Sequence, residues 1–438
     1  MRQNLNKSLF PRKALENIVK FLDTEEVIVL IGARQVGKTC IMRLLQNELR
    51  KRGIDEKIIH YFDLEDTSLL KILNAGPEEF LRYLSSLGAD ISGNLVVFID
   101  EIQYLDNPSN FIKLLSDHHK NIKLVVSGSS TFDIRKKFKD SLAGRKIVFE
   151  IFPLDFQEFL LFRGEKILYD LLLRNSFEKI YREKIKPDFE ELKFHSEKFK
   201  RLIDEFIVYG GYPRIALENN NGKKITYLAE IYNTYVKKDI KDLMRIDNPA
   251  AFNNLIKILG LQAGDLMNYD NTSIDLRMAR PTLERYLFIL KNTFIIEILA
   301  PYFTNKRKEI VKMPKIYFFD NGLRNAAINN FLPADSRTDT GVLVENFVFS
   351  QLIKNLRDLE ELHFWRTQSK NEIDFIISGQ NPVPVEVKYK SFKFPAVPRG
   401  MKYFLKNYLP PRGFVLTKDF FGMKEEEGRP IYFLPVWM

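Results

Sequence analysis

Cysteine is almost absent. The 438 residues hold one, Cys40, so an internal disulfide framework and a multi-cysteine zinc site are both excluded. That scarcity suits a reducing compartment. Long apolar runs are missing as well: none approaches the roughly 18 residues a spanning helix needs. The opening MRQNLNKSLFPRK shows no apolar stretch of the secretory kind. The expectation is a cytoplasmic protein with no membrane segment. The five histidines, His60, His118, His119, His195 and His363, show no metal-ligand spacing. Repeats and low-complexity tails are not seen. Acid is in the minority, 57 Asp and Glu against 67 Lys and Arg, and the net +10 favours a polyanionic partner if the excess gathers on one face. What remains is an ordinary folded composition, 45% apolar and 28% charged, in a chain long enough for two to four domains.

The most specific signal is Gly32-Ala33-Arg34-Gln35-Val36-Gly37-Lys38-Thr39. A β-branched run, Glu26 to Ile31, leads into it, and a helix is predicted from Lys38 to about Arg52. Strand, glycine loop and helix in that order make GxxxxGK[ST] a phosphate cradle. The glycines let backbone N–H groups turn toward phosphates, Lys38 supplies a point charge for the β and γ groups, and Thr39 offers a hydroxyl to Mg²⁺. ATP and Mg²⁺ are the implied ligands. Cys40 follows the loop and is expected to pack. A second buried strand, Leu95 to Ile99, ends in Asp100 and Glu101. Asp100 is placed to hold Mg²⁺ and Glu101 to polarise the attacking water, and the second acid argues for hydrolysis rather than a passive switch. A third strand, Ile122 to Val126, opens into Ser127-Gly128-Ser129-Ser130, which sets a hydroxyl beside the γ-phosphate.

These motifs resemble the AAA+ superfamily over about residues 10 to 160. The resemblance implies a polar sensor at the end of the strand after the Asp-Glu pair, Ser127 or Ser129. The loop departs from the commonest AAA+ form, with Ala33, Arg34 and Gln35 where a proline and a third glycine are usual. It looks like the archaeal and bacterial ATPases that join this core to a C-terminal domain of uncharacterised function. In ring-forming members a neighbour's arginine completes the site, and Arg145, with Arg135 behind it, is the candidate here. A homo-oligomer follows, a hexameric ring being one form of it.

From about Pro153 to Asp247 the apolar spacing turns helical, broken by Gly210-Gly211-Tyr212-Pro213, and reads as a lid and connector. Neither that break nor the helix carrying Tyr235, Lys237, Lys238, Asp239 and Asp242 yields a chemical role from spacing, and packing is the favoured account. Between Pro249 and Leu323 three helices and two strands follow in the order of a winged helix-turn-helix. Its candidate reading face carries Arg277, Arg280, Thr282 and Arg285, and its wing Lys306, Arg307, Lys308, Lys312 and Lys315. Such residues suit phosphate contacts on DNA.

The last segment changes theme. A helix from Gly341 to Asn355 contains Glu345, a strand from Glu372 to Ile377 contains Asp374, and the strand from Val383 carries Glu386 and Lys388. Two apart on a strand, Glu386 and Lys388 share a face that Asp374 from the neighbouring hairpin strand can join. The set resembles the PD-(D/E)xK restriction-endonuclease-like fold, which implies a Mg²⁺ held by Asp374 and Glu386, with Lys388 beside it and Glu345 as a helical acid. Trp365, Arg366 and Lys370 lie nearby.

The fold class expected is therefore α/β. It comprises a P-loop AAA+ core with a parallel sheet (residues 1–160), a helical lid and connector (161–248), a winged helix-turn-helix (249–323) and a C-terminal nuclease-like domain (324–438). The leading function is ATP hydrolysis used to remodel or translocate on duplex or branched DNA. Two alternatives stay open: a metal-dependent nuclease licensed by ATP, and an ATP-gated switch that binds DNA or a protein.

Overall fold

Five short aliphatic runs build the first sheet: β1 (Val27–Ile31), β2 (Ile59–Asp63), β3 (Leu95–Asp100), β4 (Ile122–Gly128) and β5 (Lys146–Glu150). The computed structural model describes residues 9–128, 144–183, 185–239, 246–303, 313–357, 359–379 and 381–438. The sheet order is β2-β3-β4-β1-β5 and every pairing is parallel. Every residue of β1 is buried, as a central parallel strand covered on both faces requires. Because β4 lies between β1 and β3, the glycine loop, Asp100 and Ser127 all leave the sheet at one edge, the carboxyl ends of three adjacent strands. The helix Lys38–Lys51 seats the loop by burying Ile41, Met42, Leu45 and Leu49 along one face. Gly32 is needed at the end of β1, since a Cβ there would stand 2.1 Å from the Ile151 carbonyl oxygen.

The chain divides into two compact units, one running to Phe152 and including Asn292–Phe294, the other made of Pro153–Lys291 and Ile295–Met438. Apart from Asn292–Phe294, the residues expected to form the lid, the winged helix and the C-terminal domain all lie in the second. It begins with helices Phe156–Phe162, Lys166–Asn175 and Ser196–Tyr209, the first closed by a reciprocal cap between Asp155 and Glu158. Helices Pro249–Leu261, Tyr269–Asp275 and Arg280–Asn292 follow, then the antiparallel strands β6 (Ile296–Leu299) and β7 (Lys315–Phe318). The helix Thr340–Lys354 leads into β8 (Glu361–Arg366), β9 (Glu372–Ser378) and β10 (Val383–Lys388). The helix Arg399–Tyr408 then precedes β11 (Gly413–Thr417), β12 (Gly422–Glu426) and β13 (Arg429–Pro435). These six strands form a mixed sheet, β12-β13-β11-β10-β9-β8, in which β10, β11 and β13 run parallel.

One core joins these parts: Phe199 of the helical segment stacks on Trp437 beyond β13 with ring centroids 4.2 Å apart. Gly210-Gly211-Tyr212-Pro213 is a close-packing device. The Gly211 N–H donates to Asp320 Oδ2 at 2.7 Å, and a Cβ on Gly210, whose φ is 75°, would meet Asp320 Oδ1 at 2.2 Å. Trp365 is core, its indole N–H donating to the Tyr408 hydroxyl at 3.1 Å. Among the described residues no helix is long and apolar enough to cross a membrane.

Candidate active site

In the first unit Asp100 is the hub. Its Oδ2 accepts hydrogen bonds from the Thr39 hydroxyl at 2.6 Å and the Tyr61 hydroxyl at 2.8 Å, and its Oδ1 accepts from Ser127 and, at 3.1 Å, from the Glu101 N–H. The carboxylate is 2% exposed, so these donors replace water around the charge. Burial and the neighbouring Asp100 charge push the Tyr61 phenol far above its ordinary range, which keeps it a donor. Glu101, half-buried at φ 57°, turns the chain sharply after β3, and Gln103 donates its amide to the Glu101 carboxylate.

The loop itself is shaped for an anion. Gln35 at φ 62° and Gly37 at φ 99° turn successive N–H groups to one side. Lys38 is 5% exposed, and its ammonium donates to the Gly32 and Ala33 carbonyls at 3.0 Å each. Burial lowers its pKa because only neutral oxygens and more distant acids offset the lost water. A buried cation in a curl of N–H groups, beside a hydroxyl–carboxylate pair, fits a polyphosphate and its Mg²⁺. Arg12 braces the loop by donating to the Val36 carbonyl at 2.7 Å, and Arg34 donates to the Tyr104 hydroxyl at 3.0 Å. Ala33 and Val36 are buried within the loop. Cys40, expected to pack, is instead exposed, because it falls on the outer side of the helix whose inner face holds Ile41 and Met42. Arg145 pairs with Asp117 at 2.8 Å. Ser129 and Arg135 lie outside the described residues.

In the second unit β9 and β10 pair antiparallel up to Phe375 with Val385, and Asp374 and Glu386 come one residue beyond. The Val387 N–H donates to Asp374 Oδ2 at 2.7 Å, and the Lys388 ammonium reaches Glu386 Oε1 at 2.5 Å. Glu345 joins from the helix, accepting from the Tyr317 hydroxyl at 2.6 Å. Burial raises the pKa of all three acids, Glu345, Asp374 and Glu386, and the Asp374 charge adds to the rise at Glu345 and Glu386. Lys315, read from the sequence as a wing residue for phosphate, is buried here instead: 3.4 Å from Glu345 Oε1 and 2.6 Å from Glu372 Oε1. Burial alone would lower its pKa, but Glu345, Asp374 and Glu372 outweigh that and raise it. Tyr61, Arg12, Gln103, Tyr317 and Glu372 were not legible as site residues, and Lys315 was legible only as a residue of another site. The one available signal was Lys315 and Tyr317 two apart on a strand.

On the three-helix segment Arg277 is exposed at φ 50° and Thr282 is half-buried. Arg280 donates to Asp270 and Glu284, both at 2.9 Å, and Arg285 to Asp247 at 2.8 Å. Lys306, Arg307, Lys308 and Lys312 lie outside the described residues.

Comparison with known proteins fits this geometry. Residues 24–160 match the family model described as AAA domain, residues 200–334 a domain of unknown function (DUF8612), and residues 340–437 another (DUF4143). Residues 24–160 thus carry an AAA domain with the P-loop geometry described above. An uncharacterized protein of Haemophilus influenzae is 22% identical over 99% of this chain and 100% of its own length. One from Methanocaldococcus jannaschii is 27% identical over 83% of this chain and 75% of its own. Among solved structures, the Walker-type ATPase of Pyrococcus abyssi aligns with 74% of this chain and 99% of its own, at 14% identity and a TM-score of 0.46.

Proposed function

We propose that this protein hydrolyses ATP in order to act on duplex or branched DNA, as a homo-oligomer. The observation that carries the hydrolytic half is the Asp100 hub, with Glu101 set directly after it. Bound Mg²⁺–ATP supplies the γ-phosphoryl group and the charge that polarises it. The chain's own residues do the rest. Lys38 leaves the Gly32 and Ala33 carbonyls for phosphate oxygens, Thr39 and Asp100 hold the metal side, and Ser127 fixes the Asp100 carboxylate. Glu101, released by Gln103, takes the proton of the attacking water. Arg145 from a neighbouring copy would leave Asp117 to meet the developing γ-phosphate charge.

The DNA half is supported by the net charge of +10 and by three helices followed by a two-stranded hairpin, with Arg280 and Arg285 exposed on the third helix and Arg277 exposed in the turn before it. The test is fluorescence anisotropy with labelled duplex across a salt series. Arg277→Ala with Arg285→Ala is expected to weaken binding alike for all sequences. It should also cut the slope of log affinity against log salt by about 2, since each of the two guanidinium groups neutralises one phosphate. Unchanged affinity and slope would remove these residues from any DNA surface.

A further inference from the structure

The C-terminal centre was expected to hold Mg²⁺, and its residues do not fit one. Among the described residues no three acidic, imidazole or thiol groups converge closely enough to hold a metal ion. The carboxylates are instead engaged one by one. Glu345 takes Tyr317 and Lys315, and Glu372 takes Lys315 on one oxygen and Arg366 on the other at 3.2 Å. Asp374 takes the Val387 N–H, and Glu386 takes Lys388 on Oε1. Glu386 Oε2 is fully buried with no hydrogen-bond partner.

The unexpected component is Lys315. It stands on β7, two residues from Tyr317, so both side chains leave the same face of the strand and meet Glu345. The hairpin is fixed there by backbone bonds. The Tyr302 N–H donates to the Phe364 carbonyl of β8 at 2.6 Å, and the Gly264 N–H donates to the Ile316 carbonyl of β7 at 2.9 Å. We propose that Lys315, seated between Glu345 and Glu372, does in this centre what a divalent cation would, so that Lys315 and Lys388 counter the carboxylates from within and the centre takes no Mg²⁺. The hairpin is then tied to the C-terminal sheet by charge, and the centre serves as a joint between them rather than as a cutting site. A dication added beside the buried Lys315 ammonium would meet repulsion and compete with Lys315 and Lys388 for the carboxylates.

The test is Mn²⁺ binding to the nucleotide-free full chain by electron paramagnetic resonance, comparing wild type, Asp374→Asn, Lys315→Met and Lys315→Met with Asp374→Asn. Wild type and Asp374→Asn should bind alike. Lys315→Met should gain one site that is absent from wild type and lost again in the double variant. A wild-type site that Asp374→Asn removes would overturn the proposal, and so would a folded Lys315→Met that gains nothing. If Lys315→Met does not fold, Lys315→Gln, which keeps the length and a donor while losing the charge, replaces it with the same two outcomes.

Discussion

Glu101→Gln is expected to lower ATP turnover by about 10²- to 10⁴-fold, the usual worth of a positioned general base, while leaving nucleotide affinity nearly unchanged. The asymmetry comes from the division of labour in the loop. Lys38, Thr39 and the turned N–H groups do the binding, whereas Glu101 acts only on the water. Glutamine keeps the size and a hydrogen-bonding partner for Gln103, so the turn at φ 57° after β3 is preserved. Lys38→Ala should show the opposite split, with nucleotide retention lost before any step of hydrolysis is reached. Equilibrium binding of a fluorescent ATP analogue beside phosphate release separates the two. Full turnover in Glu101→Gln would mean that another group activates the water.

Asp339→Asn should destabilise the second unit by about 1–3 kcal/mol, the cost of leaving a buried donor unsatisfied, since the half-buried Asp339 stays in part open to water. Arg324 is 0% exposed and held by the Gly260 carbonyl at 2.8 Å and by Asp339 Oδ2 at 2.8 Å, while Arg337 donates to both Asp339 oxygens at 2.7 and 2.8 Å. The neutral amide strands that buried guanidinium. The ion pairs, Arg337 first and Arg324 second, pull the Asp339 carboxyl down to about 2 from its ordinary 3.8. A lowered carboxyl pKa means that the unfolded chain binds the proton more readily. The stabilisation is complete above about pH 4, fades as pH falls, and is gone once pH passes below about 2. Denaturant unfolding of wild type between pH 5 and 2 should show this decline, and Asp339→Asn should lack that part of it. Equal stability of the two proteins at pH 7 would contradict the role given to Asp339.

The first unit was the more legible because its chemistry is local. Gly32 to Thr39 is one strand–loop–helix segment, and Asp100 with Glu101 ends one strand, so spacing alone carried the geometry. Tyr61 escaped notice because its role depends on β2 pairing beside β3, which no nearby residue announces. In the second unit the same difficulty decides more. Glu345, Asp374, Glu386 and Lys388 could be read as a set. Lys315 looked like one more basic wing residue, and only its pairing with Glu345, 30 positions away, reveals a buried counter-ion. Gly210 and Gly211 announced a break but not its cause, since Asp320 lies 109 positions beyond Gly211. Buried ion pairs between distant segments leave no periodicity to read.

The most direct test is the steady-state ATPase rate of the full chain with Mg²⁺, alone and with single-stranded, duplex or four-way-junction DNA, against Glu101→Gln as the inactive control. The account predicts turnover that vanishes in the control and rises several-fold with duplex or branched DNA. A wild-type rate no higher than the control would contradict the hydrolytic site, and a rate indifferent to every DNA would contradict the coupling to DNA.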